Sequence, residues 1–124
     1  MSAIVFFRTQ DEDRVVEFYR ERVGAETWLD QDGCTILRHG EFKFGFCGRE
    51  ATDDCGIVTF YYDDRGRVDE LYDRLGDCAD GPPETNEQYE VYQFFAEDPD
   101  GRTVEFQTFL HPLPDEDGEQ ADPR

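Results

Sequence analysis

A single carboxylate, Glu105, interrupts a strand-like run that follows a DPDG turn at residues 98–101. In such a turn proline fixes φ at the second position and glycine accepts a left-handed exit, so the chain reverses between two strands. The residues after the turn alternate, with Val104 and Phe106 on one face and Glu105 and Gln107 on the other. The carboxylate therefore faces away from the core, either toward solvent or into a cavity.

Few other groups in the sequence are suited to chemistry. The two histidines are His39, in a turn, and His111, near the tail, and we expect both at the surface. No Ser/His/Asp or Cys/His arrangement and no glycine-rich phosphate loop is visible, so nucleophilic catalysis has little support. The four cysteines lack CxxC spacing, which predicts reduced thiols and no structural zinc, although Cys47 and Cys55 could meet across a loop.

Charge excludes several kinds of partner. The 124 residues include 31 acids and 12 bases, for a formal net charge of −19, and Lys43 is the only lysine. Such a surface repels nucleic acid and anionic lipid, so neither is expected as a partner. The even spread of acids is typical of proteins from salt-loving organisms, and attraction of a cationic ligand is the functional alternative. Without an apolar run of about 18 residues or a cleavable leader, we expect a soluble cytoplasmic protein.

An internal repeat organises the chain. Residues 4–19 align with residues 57–72 at a constant offset of 53, with eight identities in sixteen positions. The segment HGEFKF (39–44) echoes DGRTVEFQ (100–107), since each places a strand after a turn glycine. We therefore expect two copies of one structural unit.

Both copies predict the order βαβββ. The first copy is expected to contain a strand at 3–9, a helix at 11–23 and strands at 26–30, 34–38 and 41–47. The second is expected to contain a strand at 56–62, a helix at 66–75, a loop at 80–86 and strands at 91–96 and 102–109. One domain at 1–110 thus divides into module one (1–48), a linker (49–55) and module two (56–110). The acidic tail, 111–124, has no apolar pattern and is expected to be disordered.

The strands should carry two different faces. One is apolar and should be covered by the helices: Val5, Phe7, Phe42, Phe44, Phe46, Val58, Phe60, Val104 and Phe106. The other mixes apolar, aromatic and hydrogen-bonding groups: Ile4, Phe6, Arg8, Glu41, Lys43, Ile57, Thr59, Tyr61, Glu105 and Gln107. Such a mixture suits a small-molecule pocket. Further aromatic residues could stack on a planar ligand there: Trp28, Tyr89, Tyr92 and Phe95.

Four segments resemble the vicinal oxygen chelate superfamily, which includes glyoxalases, bleomycin resistance proteins and extradiol dioxygenases. They are DEDRVVEFYRERVGAE (11–26), TILRHGEFKFGF (35–46), VDELYDRLG (68–76) and FFAEDPDGRTVEF (94–106). The bleomycin resistance branch looks most similar. The resemblance implies an α+β fold of two tandem βαβββ modules, a cupped mixed sheet with helices on its outer face, and a homodimer.

The resemblance also implies where a metal would bind. In metal-dependent members a His or Gln from the first strand and a Glu from the last strand of each module are the ligands. These positions fall on Ile4, Lys43, Ile57 and Glu105, so only Glu105 is a lone candidate ligand, whereas a catalytic metal needs about three. We expect no metal or other cofactor. We hypothesise that Lys43 and Glu105 instead form an ion pair, the alternative being that both side chains are solvated.

The function that follows is a metal-free binding protein of the bleomycin resistance type, which sequesters a small cationic or aromatic ligand in the cup. No catalytic residue is assigned. The predicted ligand-binding residues are Phe6, Arg8, Trp28, Lys43, Thr59, Tyr61, Tyr92, Glu105 and Gln107. One alternative is a glyoxalase- or dioxygenase-like enzyme with non-standard metal ligands around Glu105. Another is a degenerate member with a structural role alone.

Overall fold

Two four-stranded sheets of the same topology are covered by helices in the computed structural model, which describes residues 2–114. Module one contains β1 (Ile4–Thr9), α1 (Glu12–Phe18), a π-helical turn (Tyr19–Val23), β2 (Glu26–Gln31), β3 (Cys34–His39) and β4 (Phe42–Gly48). Module two contains β5 (Ile57–Tyr62), α2 (Arg65–Leu75), a 3-10 turn (Gly76–Cys78), β6 (Glu84–Asn86), β7 (Val91–Glu97) and β8 (Thr103–Phe109). The strand orders are β1-β4-β3-β2 and β5-β8-β7-β6.

The predicted α+β fold of two βαβββ modules is confirmed by this topology. In each module the first and last strands pair in parallel, and the other neighbours are antiparallel. The short strand β6 lies in the segment that was expected to be a loop. From residue 115 onward, the tail that was expected to be disordered lies outside the described residues.

The same helix cap begins both helices, which explains part of the internal repeat. The Asp11 carboxylate accepts a hydrogen bond from the Arg14 backbone N–H at 3.2 Å, and the Asp64 carboxylate accepts one from the Arg67 N–H at 2.9 Å. Each cap satisfies a backbone donor that the first helical turn leaves unpaired. Gly24 ends the first helical segment at φ 92°, a left-handed conformation that glycine adopts without steric cost.

The apolar face of the sheets forms the core with the helices. Phe44, Phe46, Phe60 and Phe106 are almost fully buried, as the alternation predicted. The rings of Phe44 and Phe60 lie 5.8 Å apart, so the two modules share one core. Val5 departs from the prediction, because it lies on the edge strand β1 and stays 40% exposed.

A buried ion pair in the DPDG turn of module two is contacted by Tyr19 of module one. Arg102 Nη1 lies 2.5 Å from Asp98 Oδ2, and the Tyr19 hydroxyl donates to the same oxygen at 2.7 Å. Burial lowers the pKa of Arg102, but the charges of Asp98 and Asp100, the hydrogen bond to Asp98 and the neighbouring Tyr19 together outweigh it, so the pKa is raised overall. Burial is also the main reason why the pKa of Tyr19 lies well above its usual value, with Asp98 adding to the effect. Both side chains are thus held in their protonated, hydrogen-bonding forms.

Two of the four cysteines form a disulfide, so the expectation of reduced thiols is wrong. Cys34 and Cys47 lie directly opposite each other on β3 and β4, with Cα atoms 4.1 Å apart, and their sulfurs are bonded. Cys55 and Cys78 are free. Cysteine spacing does not reveal the strand register, and the register is what brings these two residues together.

None of the helices in residues 2–114 has the length and apolar character needed to cross a membrane.

Candidate functional site

The face of the two sheets that the helices leave uncovered is here called the open face. Large apolar side chains stand exposed on it, with Phe6 at 50%, Ile57 at 58% and Tyr61 at 51%. Polar side chains lie between them, among them Lys43 and Glu105. Eight of the nine predicted ligand-binding residues lie on the open face or at its margin.

Phe6 lies flat on the module-one half of the open face because its neighbour is a glycine. Phe6 of β1 is directly opposite Gly45 of β4, which in turn is opposite Ile36 of β3. A Cβ atom on Gly45 would come within 2.7 Å of two ring carbons of Phe6 and 3.3 Å of Ile36 Cγ1. The missing side chain therefore creates the place in which the ring rests, and Ile36 beneath it is buried.

Lys43 binds an aromatic ring rather than a carboxylate. Its Nζ lies 5.0 Å from the centroid of the Trp28 ring, close enough for a cation–π interaction. Trp28 projects at a register irregularity of β2, between Thr27 and Leu29. Among the ion pairs of residues 2–114, none joins Lys43 to Glu105. The predicted ion pair is therefore wrong.

Glu105 has a different partner, Thr59 of the neighbouring strand. The Thr59 hydroxyl donates to Glu105 Oε1 at 2.8 Å, and Phe95 of β7 is the residue opposite on the other side. The register explains why the ion pair does not form. Lys43 is opposite Ile4, whereas the residue opposite Ile57 is Thr103, two positions before Glu105. Lys43 and Glu105 thus occupy different registers in their modules.

These positions do not fit a divalent metal. Glu105 is the one carboxylate there, and its neighbours on the adjacent strands are the Thr59 hydroxyl and the Phe95 ring. Within the described part of the chain, no group of three His, Cys, Asp or Glu side chains is placed to hold an ion. A catalytic metal needs about three protein ligands, and these positions provide one, Glu105.

Three further predicted residues lie on the open face or at its margin: Arg8, Tyr61 and Gln107. Arg8 is held by Asp53 at 2.7 Å, and this contact lowers the pKa of the Asp53 carboxyl to about 2. The Tyr61 ring packs edge-on against Phe109 at 5.6 Å, and Gln107 lies opposite Tyr61.

Tyr92 does not lie on the open face. Its hydroxyl donates to Asp69 of α2 at 2.7 Å, and the Arg65 guanidinium lies 5.1 Å from its ring centroid. Tyr92 alternates with Gln93 along β7, so it faces the helix side. Tyr92 is therefore not part of the candidate site.

A cavity of about 520 Å³ lies on the module-two half of the open face. Its lining includes Asp80, Glu84, Asn86, Gln93, Phe95 and Thr103. The Asp80 backbone N–H donates to the Phe95 carbonyl at 2.8 Å, which fixes one wall against the sheet. Sequence reasoning singled out only Phe95 among these residues, because the wall at 80–86 carries no pattern beyond that of a loop.

Solved structures share this fold. A glyoxalase/bleomycin resistance protein/dioxygenase from Nocardioides superposes with a TM-score of 0.72 at 17% identity, covering 95% of this chain and 89% of that chain. A family enzyme of the same description from Burkholderia phytofirmans gives 0.74 at 19% identity, covering 86% and 97%. Lactoylglutathione lyase from Agrobacterium tumefaciens gives 0.70 at 20% identity, covering 87% and 92%. No protein-family model and no curated protein matches the sequence. The fold is thus that of the glyoxalase/bleomycin resistance/dioxygenase proteins.

Proposed function

We propose that this protein binds a small organic cation with a planar apolar part, without a metal ion, in the module-two cavity of the open face. This is binding of the bleomycin resistance type, in which the ligand is sequestered rather than transformed. The observation that carries the proposal is the pairing of two carboxylates, Asp80 and Glu84, with the ring of Phe95 around one cavity. Organic cations are recognised by such a combination of charge and aromatic surface.

The carboxylates are available to a ligand. Neither Asp80 nor Glu84 forms an ion pair with any residue in the range 2–114. Glu105, opposite Phe95 on the neighbouring strand, adds a third negative charge and is oriented by Thr59. The net charge of −19 raises the local concentration of cations around the whole molecule. The net charge of the molecule would therefore attract a cation at long range, and the carboxylates at the cavity would bind it at short range.

Polar groups in the cavity would orient the ligand. Asn86 Oδ1 accepts hydrogen bonds from the backbone N–H groups of Gln88 and Tyr89, at 3.0 and 3.3 Å. This fixes the amide and leaves its N–H donors for a ligand acceptor. Gln93 and the Thr103 hydroxyl supply further donors and acceptors. A few fixed polar groups beside an aromatic wall are sufficient to orient a small molecule.

The test compares three probes that share one phenyl ring and differ in charge: benzyltrimethylammonium, benzyl alcohol and benzoate. Calorimetric titration of metal-free protein should give at least about tenfold tighter binding for the cation than for the alcohol, equivalent to about 1.4 kcal/mol. The double variant Asp80→Asn/Glu84→Gln should lose about that factor. Glu87→Gln, which neutralises a neighbouring acid outside the cavity lining, should leave the affinity unchanged.

Two results would refute the proposal. Equal affinities for the cation and the alcohol would remove the role of the carboxylates. Retention of about one equivalent of zinc, nickel, manganese or iron, lost on Glu105→Ala, would restore the enzyme alternative. The homodimer implied by the resemblance stays a prediction, and light scattering should then give twice the chain mass of 14.5 kDa.

A further inference from the structure

A second cavity, of about 650 Å³, lies where the two modules meet and is here called the junction cavity. Module one contributes His39 at the end of β3 and Phe42 at the start of β4. Module two contributes Tyr61 and Tyr62 from β5 and Arg67 from α2. None of the residues around the junction cavity lines the module-two cavity.

His39 is the residue about which the sequence was least informative. It was expected at the surface, but its ring packs edge-on against Phe60, with centroids 4.9 Å apart. Its Nε2 lies 3.0 Å from the Tyr62 hydroxyl oxygen, so the two side chains share one hydrogen bond. Each comes from a different module. The polar end of the cavity is thus assembled only when the modules pack together.

Both members of this pair are neutral at neutral pH. Burial lowers the pKa of His39, and the positive charge of Arg67 lowers it further, although a hydrogen bond with the Gly24 backbone opposes both. Burial raises the pKa of Tyr62, while Arg67 and Arg74 act in the opposite sense. A neutral imidazole and a neutral phenol are hydrogen-bonding groups rather than charges.

The field at the pair is positive, although the protein as a whole is strongly acidic. Arg67 and Arg74 both act on His39 and Tyr62 from α2. Arg67 Nη1 donates to Glu70 at 2.7 Å, and its guanidinium lies 5.5 Å from the Tyr62 ring centroid. The Nε and Nη2 donors of Arg67 have no hydrogen-bond partner within residues 2–114. One carboxylate, Glu41, also lines the cavity, and it is exposed to solvent, as Arg67 is.

We propose that the junction cavity binds a planar aromatic carboxylate. The ring of the ligand would lie against Phe42 and Tyr61. Its carboxylate would accept hydrogen bonds from Arg67, whose planar guanidinium suits a carboxylate better than an ammonium group does. The Tyr62 hydroxyl would donate one further hydrogen bond to the carboxylate at the same end, since a carboxylate can only accept. This site has the opposite charge preference to the module-two cavity. The two linings share no residue, although Thr59 of the junction cavity also donates to Glu105.

Sodium benzoate is the probe for the test. In a titration followed by NMR, benzoate should shift the Arg67 Nε–H and His39 ring signals saturably, and benzyl alcohol should bind about tenfold more weakly. Arg67→Gln removes the charge but keeps most of the length, and it should weaken benzoate binding about tenfold. Arg65→Gln is the matched control, since Arg65 is on the same helix but lies over Tyr92, outside the cavity lining.

Three outcomes would overturn the proposal: no saturable shift at His39 or Arg67, equal affinities for benzoate and benzyl alcohol, or equal effects of Arg67→Gln and Arg65→Gln. Tyr62→Phe provides a second variant that keeps the aromatic packing, and it should weaken benzoate binding without unfolding the protein. The double variant Asp80→Asn/Glu84→Gln should leave benzoate binding intact. Failure of one site is thereby distinguished from failure of the other.

Discussion

Replacing Tyr19 with phenylalanine removes a single hydroxyl from the network that joins the modules. That hydroxyl donates to Asp98 Oδ2 at 2.7 Å, and Tyr19 is 1% exposed, so water cannot replace the lost donor. A hydrogen bond to a charged group contributes about 1.5–3 kcal/mol. Because Arg102 still pairs with Asp98, the cost should stay below the roughly 3–5 kcal/mol of breaking a buried ion pair, as Arg102→Met would do.

Thermal unfolding by calorimetry or circular dichroism measures the effect. For a chain of this size, about 4 °C per kcal/mol predicts that Tyr19→Phe lowers Tm by about 6–12 °C. Tyr72→Phe is the control, since Tyr72 packs its ring on Phe94 at 5.5 Å and its hydroxyl has no hydrogen-bond partner among the described residues. The control should change stability by less than about 0.5 kcal/mol. Equal shifts for the two variants would refute the reasoning, because they would mean that the Asp98 contact contributes nothing.

Three further predictions concern the open face, the disulfide and pH. Gly45→Ala should lower the free energy of unfolding by only about 1 kcal/mol, since the exposed Phe6 ring can move away from the new methyl group. In an NMR spectrum, the ring-current shift that the Phe6 ring causes at residue 45 should then disappear. Under denaturing conditions a thiol assay should find two free thiols before reduction and four after it. Reduction of Cys34–Cys47, which closes a loop with sequence separation 13, should cost about 3 kcal/mol of stability. The pKa of His39 is lower in the folded protein than the value of about 6.5 expected for the unfolded chain. The free energy of unfolding should therefore be unaffected by His39 above about pH 6.5 and should fall as the pH drops below it. In His39→Phe the free energy of unfolding should decrease less steeply with falling pH.

Periodic patterns in the sequence identify the elements and the buried face. The identities Asp11/Asp64 and Tyr19/Tyr72 mark equivalent positions of two helices, and in the structure both aspartates are caps. Phe44 and Phe106 are buried as alternation requires, because side chains along a strand point to opposite faces with a period of two. Such signals are local, and a single sequence contains them.

The relations between strands are not local, and these are where the predictions failed. The predicted ion pair assumed that Lys43 and Glu105 occupy equivalent positions in the two modules. In the structure Lys43 lies opposite Ile4, but the residue opposite Ile57 is Thr103, two positions before Glu105. A shift of two residues preserves the face, so alternation alone cannot detect it. The disulfide was missed for the same reason, because only the register between β3 and β4 places Cys34 opposite Cys47.

Ligand binding at the two proposed sites should depend on salt concentration in opposite ways, because the charge of the whole molecule acts over longer distances than the charges within each cavity. The Debye length falls from about 10 Å at 0.1 M salt to about 3 Å at 1 M, so distant charges are screened long before contacts are. At low salt the net charge of −19 repels benzoate from the junction cavity and attracts benzyltrimethylammonium to the module-two cavity. Raising the salt to about 1 M should therefore tighten benzoate binding and weaken binding of the cation. If both affinities fell together, benzoate would be held by charge alone rather than also by its ring against Phe42 and Tyr61, and the assignment of the junction cavity to an aromatic carboxylate would fail.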